Sequence, residues 1–116
     1  ISVAEMRSAL KNFQDNAIIP LAEMEKPVIA AVNGAAMGAG FNIALCCDLI
    51  YAANTAVFGQ VFVNLGLTPD NGGFYFLPRL VGLPRAKELM FTGRSVNAQE
   101  GWLIKYLKRR NYWTKQ

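Results

Sequence analysis

The residues Gly34-Ala35-Ala36-Met37-Gly38-Ala39-Gly40-Phe41-Asn42-Ile43-Ala44-Leu45-Cys46-Cys47-Asp48 follow directly on the apolar run Val28-Ile29-Ala30-Ala31-Val32. That order reads as a strand, a tight turn of small residues and the first turns of a helix. The first N–H groups of a helix have no internal partner and carry the positive end of its dipole. A Gly/Ala-rich turn therefore lets an anion approach them closely, and the anion suited to this stretch is an oxyanion. It is not a nucleotide loop. A dinucleotide fingerprint would need glycine at position 43, where Ile43 stands, and no Gly-Lys-Ser/Thr ending occurs in the chain. The chain has no histidine, which excludes a Ser/His/Asp triad, a Cys/His pair and a histidine metal site. Cys46 and Cys47 are adjacent in an apolar run, so they read as small buried hydrophobes in a reducing compartment and not as a disulfide framework or metal site.

The elements that hold these residues follow from the pattern on either side. Residues 3–25 predict an amphipathic helix, because Met6, Leu10, Phe13 and Ala17 recur at helical spacing, and Pro20 should kink it or start a new turn. Lys26-Pro27 breaks that helix, and 28–32 reads as a short buried strand. Residues 40–46 predict a buried helix, and 48–53 a second strand bounded by Asn54-Thr55. Within 58–67, Gly59 and Gly66 suggest a short strand followed by a loop or a single helical turn. The loop cluster Thr68-Pro69-Asp70-Asn71-Gly72-Gly73 leads into an apolar segment, 74–80, that Pro78 limits at its end. Pro84 fits the first turn of a helix to Phe91, with Arg85, Lys87 and Glu88 facing solvent. Asn97-Ala98-Gln99-Glu100 has the spacing of a capping box. Strand and helix alternate, which is the α/β pattern.

At 116 residues and 53% hydrophobic composition, the chain suits one modest domain. It starts at Ile1 and not Met, and so reads as a fragment. The net charge is +4, yet residues 105–116 carry Lys105, Lys108, Arg109, Arg110 and Lys115 with no acid. The body therefore has no basic field for nucleic acid. The tail reads as a solvated terminus, or as a contact for an acidic partner or the phosphates of a ligand. Glu5, Arg7 and Lys11 interrupt any secretory signal at the start. Residues 28–47 lack charge over twenty positions, but Asn33, Asn42 and three glycines argue for strand, turn and helix instead of a membrane span.

Four blocks carry a family resemblance: Lys26-Pro27-Val28-Ile29-Ala30-Ala31-Val32-Asn33-Gly34, the glycine-rich stretch after it, Phe58-Gly59-Gln60, and Gly66-Leu67-Thr68-Pro69-Asp70-Asn71-Gly72-Gly73. In order and spacing they resemble the enoyl-CoA hydratase/isomerase (crotonase) family, over about residues 20–101. The resemblance implies an α/β fold, the ClpP/crotonase spiral of ββα units, truncated at both ends. Residues 1–104 would be the central part of that domain and 105–116 a basic tail departing from the family pattern. The family's N-terminal strands, with the loop carrying the other oxyanion donor and part of the CoA site, have no counterpart before Ile1.

The resemblance also implies an enzyme that binds an acyl-CoA thioester and stabilises its enolate with two backbone N–H groups. By motif position one of these donors falls on Ala39, with Gly38 and Gly40 beside it and Phe62, Leu67 and Pro69 as further substrate-binding residues. In the family's hydratases two glutamates flank the substrate; the matching positions here are Asn42 and Phe62, neither of which moves a proton at neutral pH. Asp70 stands in a third position, where some isomerases of the family carry an aspartate, and Phe58 to Asp70 looks most like isomerases, including the epoxyphenylacetyl-CoA isomerase type. A carboxyl among apolar groups such as Phe62, Leu65 and Leu67 is expected to hold its proton more tightly than usual. The plainer reading of Asp70 is a turn residue capping the next segment. Asp48, at a helix-to-strand junction, predicts a structural role, pairing with a backbone amide or an arginine.

The expected activity is thus a 1,3-proton shift on an enoyl-CoA. No cofactor is expected beyond coenzyme A carried on the substrate, and no metal. An acyl-CoA is the expected small-molecule partner, without nucleic acid or membrane, in a cytoplasmic homo-oligomer, since the family forms trimers or hexamers. The alternatives are a catalytically inactive remnant acting as an association module, and a hydratase that places water with Asp70 alone.

Overall fold

In the computed structural model, which describes residues 2–65, 73–104, 106 and 107, helices and strands alternate along the chain. Helix α1 spans Val3–Phe13, and the Ser2 side chain caps it by accepting from the Glu5 N–H at 3.1 Å. It passes through a π turn at Gln14–Ile18 into a short helix α2, Ile19–Ala22. Pro20 explains the wide turn. It has no N–H for the Asn16 carbonyl and its ring crowds that carbonyl, so the helix widens and restarts with Pro20 in its first turn.

Strand β1 (Ile29–Val32) pairs in parallel with β3 (Leu49–Ala52), with Ile29 opposite Leu49 and Val32 opposite Ala52. Residues 28–32 are not the buried strand that their apolar run predicts. Ile29 is 57% exposed and Ala31 is exposed, while Ala30 and Val32 pack on the core. Among the described residues β1 has one strand neighbour and buries one face, so side chains on the alternate face meet solvent.

The small-residue stretch after β1 is not a simple turn, because it contains strand β2 (Ala35–Met37). β2 lies parallel to β4 (Val57–Gly59), which in turn pairs antiparallel with β5 (Val96–Asn97). Helix α3 (Ala39–Leu45) follows β2 and buries Phe41, Asn42, Ala44 and Leu45, as expected of a buried helix. After β4 comes a 3-10 turn, Val61–Leu65. Helix α4 (Gly73–Val81) runs through Pro78, which does not end it: the Pro78 carbonyl still accepts from the Gly82 N–H at 2.9 Å, and the ladder bond that a proline cannot make is the one to the Phe74 carbonyl. Helix α5 (Leu83–Thr92) has Pro84 in its first turn and ends on Gly93, whose left-handed backbone (φ 64°) lets its N–H return to the Leu89 carbonyl at 3.0 Å. Helix α6 (Ala98–Leu103) starts at Asn97, which accepts from the Glu100 N–H at 2.9 Å.

The core gathers around three rings, Phe41 from α3, Phe58 from β4 and Tyr106, with centroids 5.1–5.3 Å apart and every ring fully buried. Gly101 makes room for the third ring: a Cβ there would lie 2.7 Å from Tyr106. Tyr106 and Leu107 are both buried, so the core continues past residue 104, where the expected basic tail begins. The other residues of 105–116 lie outside the described residues. Among the described residues no helix is long and apolar enough to cross a membrane.

Candidate active site

The turn into α3 is organised by Gly38. Its N–H donates to the Gly59 carbonyl at 2.8 Å, and its own carbonyl accepts from the Asn42 N–H at 3.0 Å. This ties the end of β2 to β4 and closes the first turn of α3. The backbone at Gly38 has φ 56° and ψ −119°, a conformation that any side chain would strain. A Cβ there would make ordinary contact, 3.5 Å from the Phe62 ring and 3.6 Å from Val61, so the backbone conformation and not the space is what calls for glycine.

Ala39 is therefore the first residue of α3 and is half-buried, while Gly40 behind it is exposed with open space beside its Cα among the described residues. Helix geometry leaves the Ala39 and Gly40 N–H groups without an intrahelical acceptor, and no carbonyl of the described residues takes them. The Phe62 ring thus stands against Gly38, just before Ala39 and Gly40 open α3. Asp70, Leu67 and Pro69 lie outside the described residues. Two clefts lie away from these amides. One is lined by Ile18, Ala22, Tyr75 and Phe76 and the other by Val81, Pro84, Arg85 and Glu88.

A buried polar contact stands behind this turn. Gln60, just past β4, donates from Nε2 to Asn42 Oδ1 at 2.7 Å, and both side chains are fully buried. Such a bond is made away from competing water, and its loss would leave buried polar atoms unmatched. The residue matched to a family glutamate is here a structural amide. Sequence reasoning quoted Gln60 within a motif but gave it no partner. The available signal was the Asn among the apolar residues of α3 and a Gln at the strand end facing it.

Asp48 fulfils its structural expectation. Its Oδ2 accepts from the Val28 N–H at 2.7 Å, and its N–H donates to the Val28 carbonyl at 2.9 Å. This two-way pair clips the chain before β1 to the chain before β3. Burial pushes the Cys46 thiol up to about 11, and Cys47 is raised as well, by burial and then by the nearby Asp48 charge. Neither is the depressed thiol that a nucleophile needs. Sequence reasoning missed Arg94 altogether. Its Nε donates to Glu88 at 2.8 Å and its Nη1 to Glu100 at 2.8 Å, so one guanidinium joins α5 to α6. The hydrogen bonds from Arg94 hold both glutamates below the usual carboxylate range and raise Arg94 itself.

A family model described as enoyl-CoA hydratase/isomerase matches residues 3–102. The chain belongs to the enoyl-CoA hydratase/isomerase family. Among its relatives, a crotonyl-CoA hydratase from Syntrophomonas wolfei is 56% identical over 81 residues, 70% of this chain and 31% of that protein. A 1,2-epoxyphenylacetyl-CoA isomerase from Escherichia coli is 41% identical over 96 residues, 83% of this chain and 37% of that protein. The crystal structure of an enoyl-CoA hydratase from Bacillus anthracis matches with a TM-score of 0.89 at 34% identity, covering 99% of this chain and 43% of the other. The fold is accordingly the crotonase fold. Hydratase names predominate among the family relatives, and the chain spans about a third of the length of the two curated relatives named here.

Proposed function

We propose that this chain carries the enolate-stabilising centre of an enoyl-CoA isomerase that moves a double bond by 1,3-proton transfer, with coenzyme A present only as part of the substrate. The observation that carries the reading is Asn42. At the first family glutamate position stands an amide, fully buried and accepting from Gln60 at 2.7 Å, and at the second stands Phe62, packed on Gly38. Neither can activate water, which hydration requires. Moving a proton from one carbon to another requires a single base that returns what it takes. Asp70 is proposed as that base: its carboxylate removes a proton from the carbon next to the thioester carbonyl, and the electron pair delocalises onto the carbonyl oxygen. The enolate is conjugated with the old double bond, and as it collapses the same carboxyl returns the proton to the far carbon of that old bond, which leaves the double bond next to the thioester carbonyl. The Ala39 N–H at the start of α3 is one of the two donors to that oxyanion, a contribution of roughly 3–4 kcal/mol per donor in comparable sites. Gly38 and Gly40 keep the approach narrow in side-chain volume, and Phe62 forms the wall beside it, with Leu67 and Pro69.

The test is a 3-enoyl-CoA offered to the chain while the conjugated 2-enoyl thioester is followed by absorbance. Conjugation should grow in without incorporation of heavy oxygen from labelled water, and Asp70→Asn should slow it by ~10² to 10⁴. The 56% identity to a protein named crotonyl-CoA hydratase favours a second reading, water addition directed by Asp70 alone. Heavy oxygen entering a 2-enoyl-CoA offered in a parallel assay, with the 3-enoyl-CoA left unconverted, would select it and reject isomerisation. The proposal also includes a homo-oligomer, supported by apolar side chains open to solvent at Val3, Met6, Leu10 and Ile29. Light scattering at low micromolar concentration should give a mass above that of one chain; a clean monomer would remove this part.

A further inference from the structure

We propose that Gly93 is a positioning residue for the candidate site, setting through the 3-10 turn Val61–Leu65 how closely the Phe62 ring stands against Gly38 and the start of α3. The turn is wedged between two glycines. On one side, a Cβ at Gly38 would lie 3.5 Å from Phe62 Cζ and 3.6 Å from Val61 Cγ2. On the other, a Cβ at Gly93 would lie 2.8 Å from Val63 Cγ1 and 3.2 Å from Asn64 Oδ1. The gap at Gly93 does not tolerate a methyl group without movement, the turn is already at contact distance from Gly38, and a turn of five residues closed by short-range hydrogen bonds moves as a unit.

Gly93 is itself held firmly. Its N–H is bonded to the Leu89 carbonyl, and the next residue, Arg94, is anchored to Glu88 and Glu100. The other end of α5 provides the contrast. Gly82 also has a positive φ, 88°, yet a Cβ there would meet nothing within 4 Å among the described residues. α5 thus bears on the turn at Gly93 and not at Gly82. A side chain at 93 drives Val63 away from α5, and the turn carries Phe62 toward Gly38, narrowing the space beside the Ala39 amide. The consequence for substrates rests on the acyl-thioester reading given above.

The experiment uses amide NMR spectra of the nitrogen-15-labelled 116-residue chain, which report the geometry whether or not the chain turns over a thioester. Gly93→Ala should shift the Phe62, Gly38 and Ala39 cross-peaks, whereas Gly82→Ala, which also places a side chain at positive φ but meets nothing within 4 Å among the described residues, should leave them in place. Adding Val63→Ala to Gly93→Ala removes the nearest atom the new methyl meets and should return the peaks toward their original positions. Val63 is 40% exposed, so Val63→Ala alone should fold and, by opening the same contact, should also move Gly38 and Ala39. Unmoved Gly38 and Ala39 peaks in either Gly93→Ala or Val63→Ala, or equal movement in Gly82→Ala, would overturn the assignment. With an enoyl-CoA as probe, Gly93→Ala should raise KM several-fold and change kcat less. A chain that shifts no double bond at all would sink the isomerase reading and leave the peak positions to decide this one.

Discussion

At the scale of single residues, the side chains near the start of α3 are set for shape and hydrogen bonding more than for charge. Gln60 donates to Asn42 in the core, and Phe62 presents a ring to Gly38. Reactive cysteine chemistry is suppressed as well, by the same burial that makes α3 a core helix. With its thiol pushed up to about 11, Cys46 is ionised in roughly one molecule in ten thousand at pH 7. Both thiols should therefore react slowly with iodoacetamide at pH 7, and should react quickly once urea unfolds the chain. The pH sense follows from the same cause. A thiol whose folded value is raised contributes stability that is complete below the unfolded value and is lost as pH rises through the folded one, so stability should fall in the alkaline range. Fast alkylation of Cys46 in the folded chain at pH 7 would mean that the N-terminal half of the core is open to water.

Among elements, the joint between α5 and α6 holds the two ion pairs of Arg94. Arg94 reaches Glu88 and Glu100 with its side chain about a third exposed, so the network is screened, and its worth is on the order of 1 kcal/mol at neutral pH. Because Arg94 holds both glutamates below their usual range, this stability is present above that range and disappears as pH falls through the lowered values. Urea unfolding of Arg94→Met should therefore show a loss at pH 7 that shrinks in acid toward pH 3. A loss of the same size at both values would assign the effect to packing of the arginine stem instead. The joint also shows what a sequence can and cannot disclose. Asn97 capping Glu100 was readable because a cap is local, three residues apart. The other half of a capping box was not delivered, because the Glu100 carboxylate is drawn to an arginine six residues upstream. Element types were legible where neighbouring local signals agreed, as with Pro84 at the start of α5 and the strand formers of β3 bounded by Asn54-Thr55. Strand β2 escaped because three small residues show no alternation, and their pairing with β4 is settled by hydrogen bonds to residues twenty-two positions away. In the site, the glycine turn was legible for the same local reason as the cap, while the Asn42–Gln60 bond crosses eighteen residues and leaves no periodic trace.

Over the whole molecule, the three buried rings come from segments far apart in sequence, and Tyr106 is the one that closes the set from the C-terminal side. Phe41 lies on the helix that carries the candidate donor, Phe58 on the strand that receives Gly38, and Tyr106 packs edge-on to both. The glycine at 101 keeps open the space this ring occupies. Truncating a large buried aromatic to alanine costs ~3–5 kcal/mol, against about 5–15 kcal/mol for a typical domain. Tyr106→Ala should accordingly lower the urea midpoint of the whole chain in a single transition, followed by circular dichroism, with little change in the slope. Tyr106→Phe keeps the ring and should cost far less. Since the rings buttress α3 and β4 together, the alanine variant should also shift the Gly38 and Ala39 amide peaks before it unfolds. An unchanged midpoint would mean that the segment after α6 merely rests on the surface, and that α3 and β4 hold the turn at Gly38 without it.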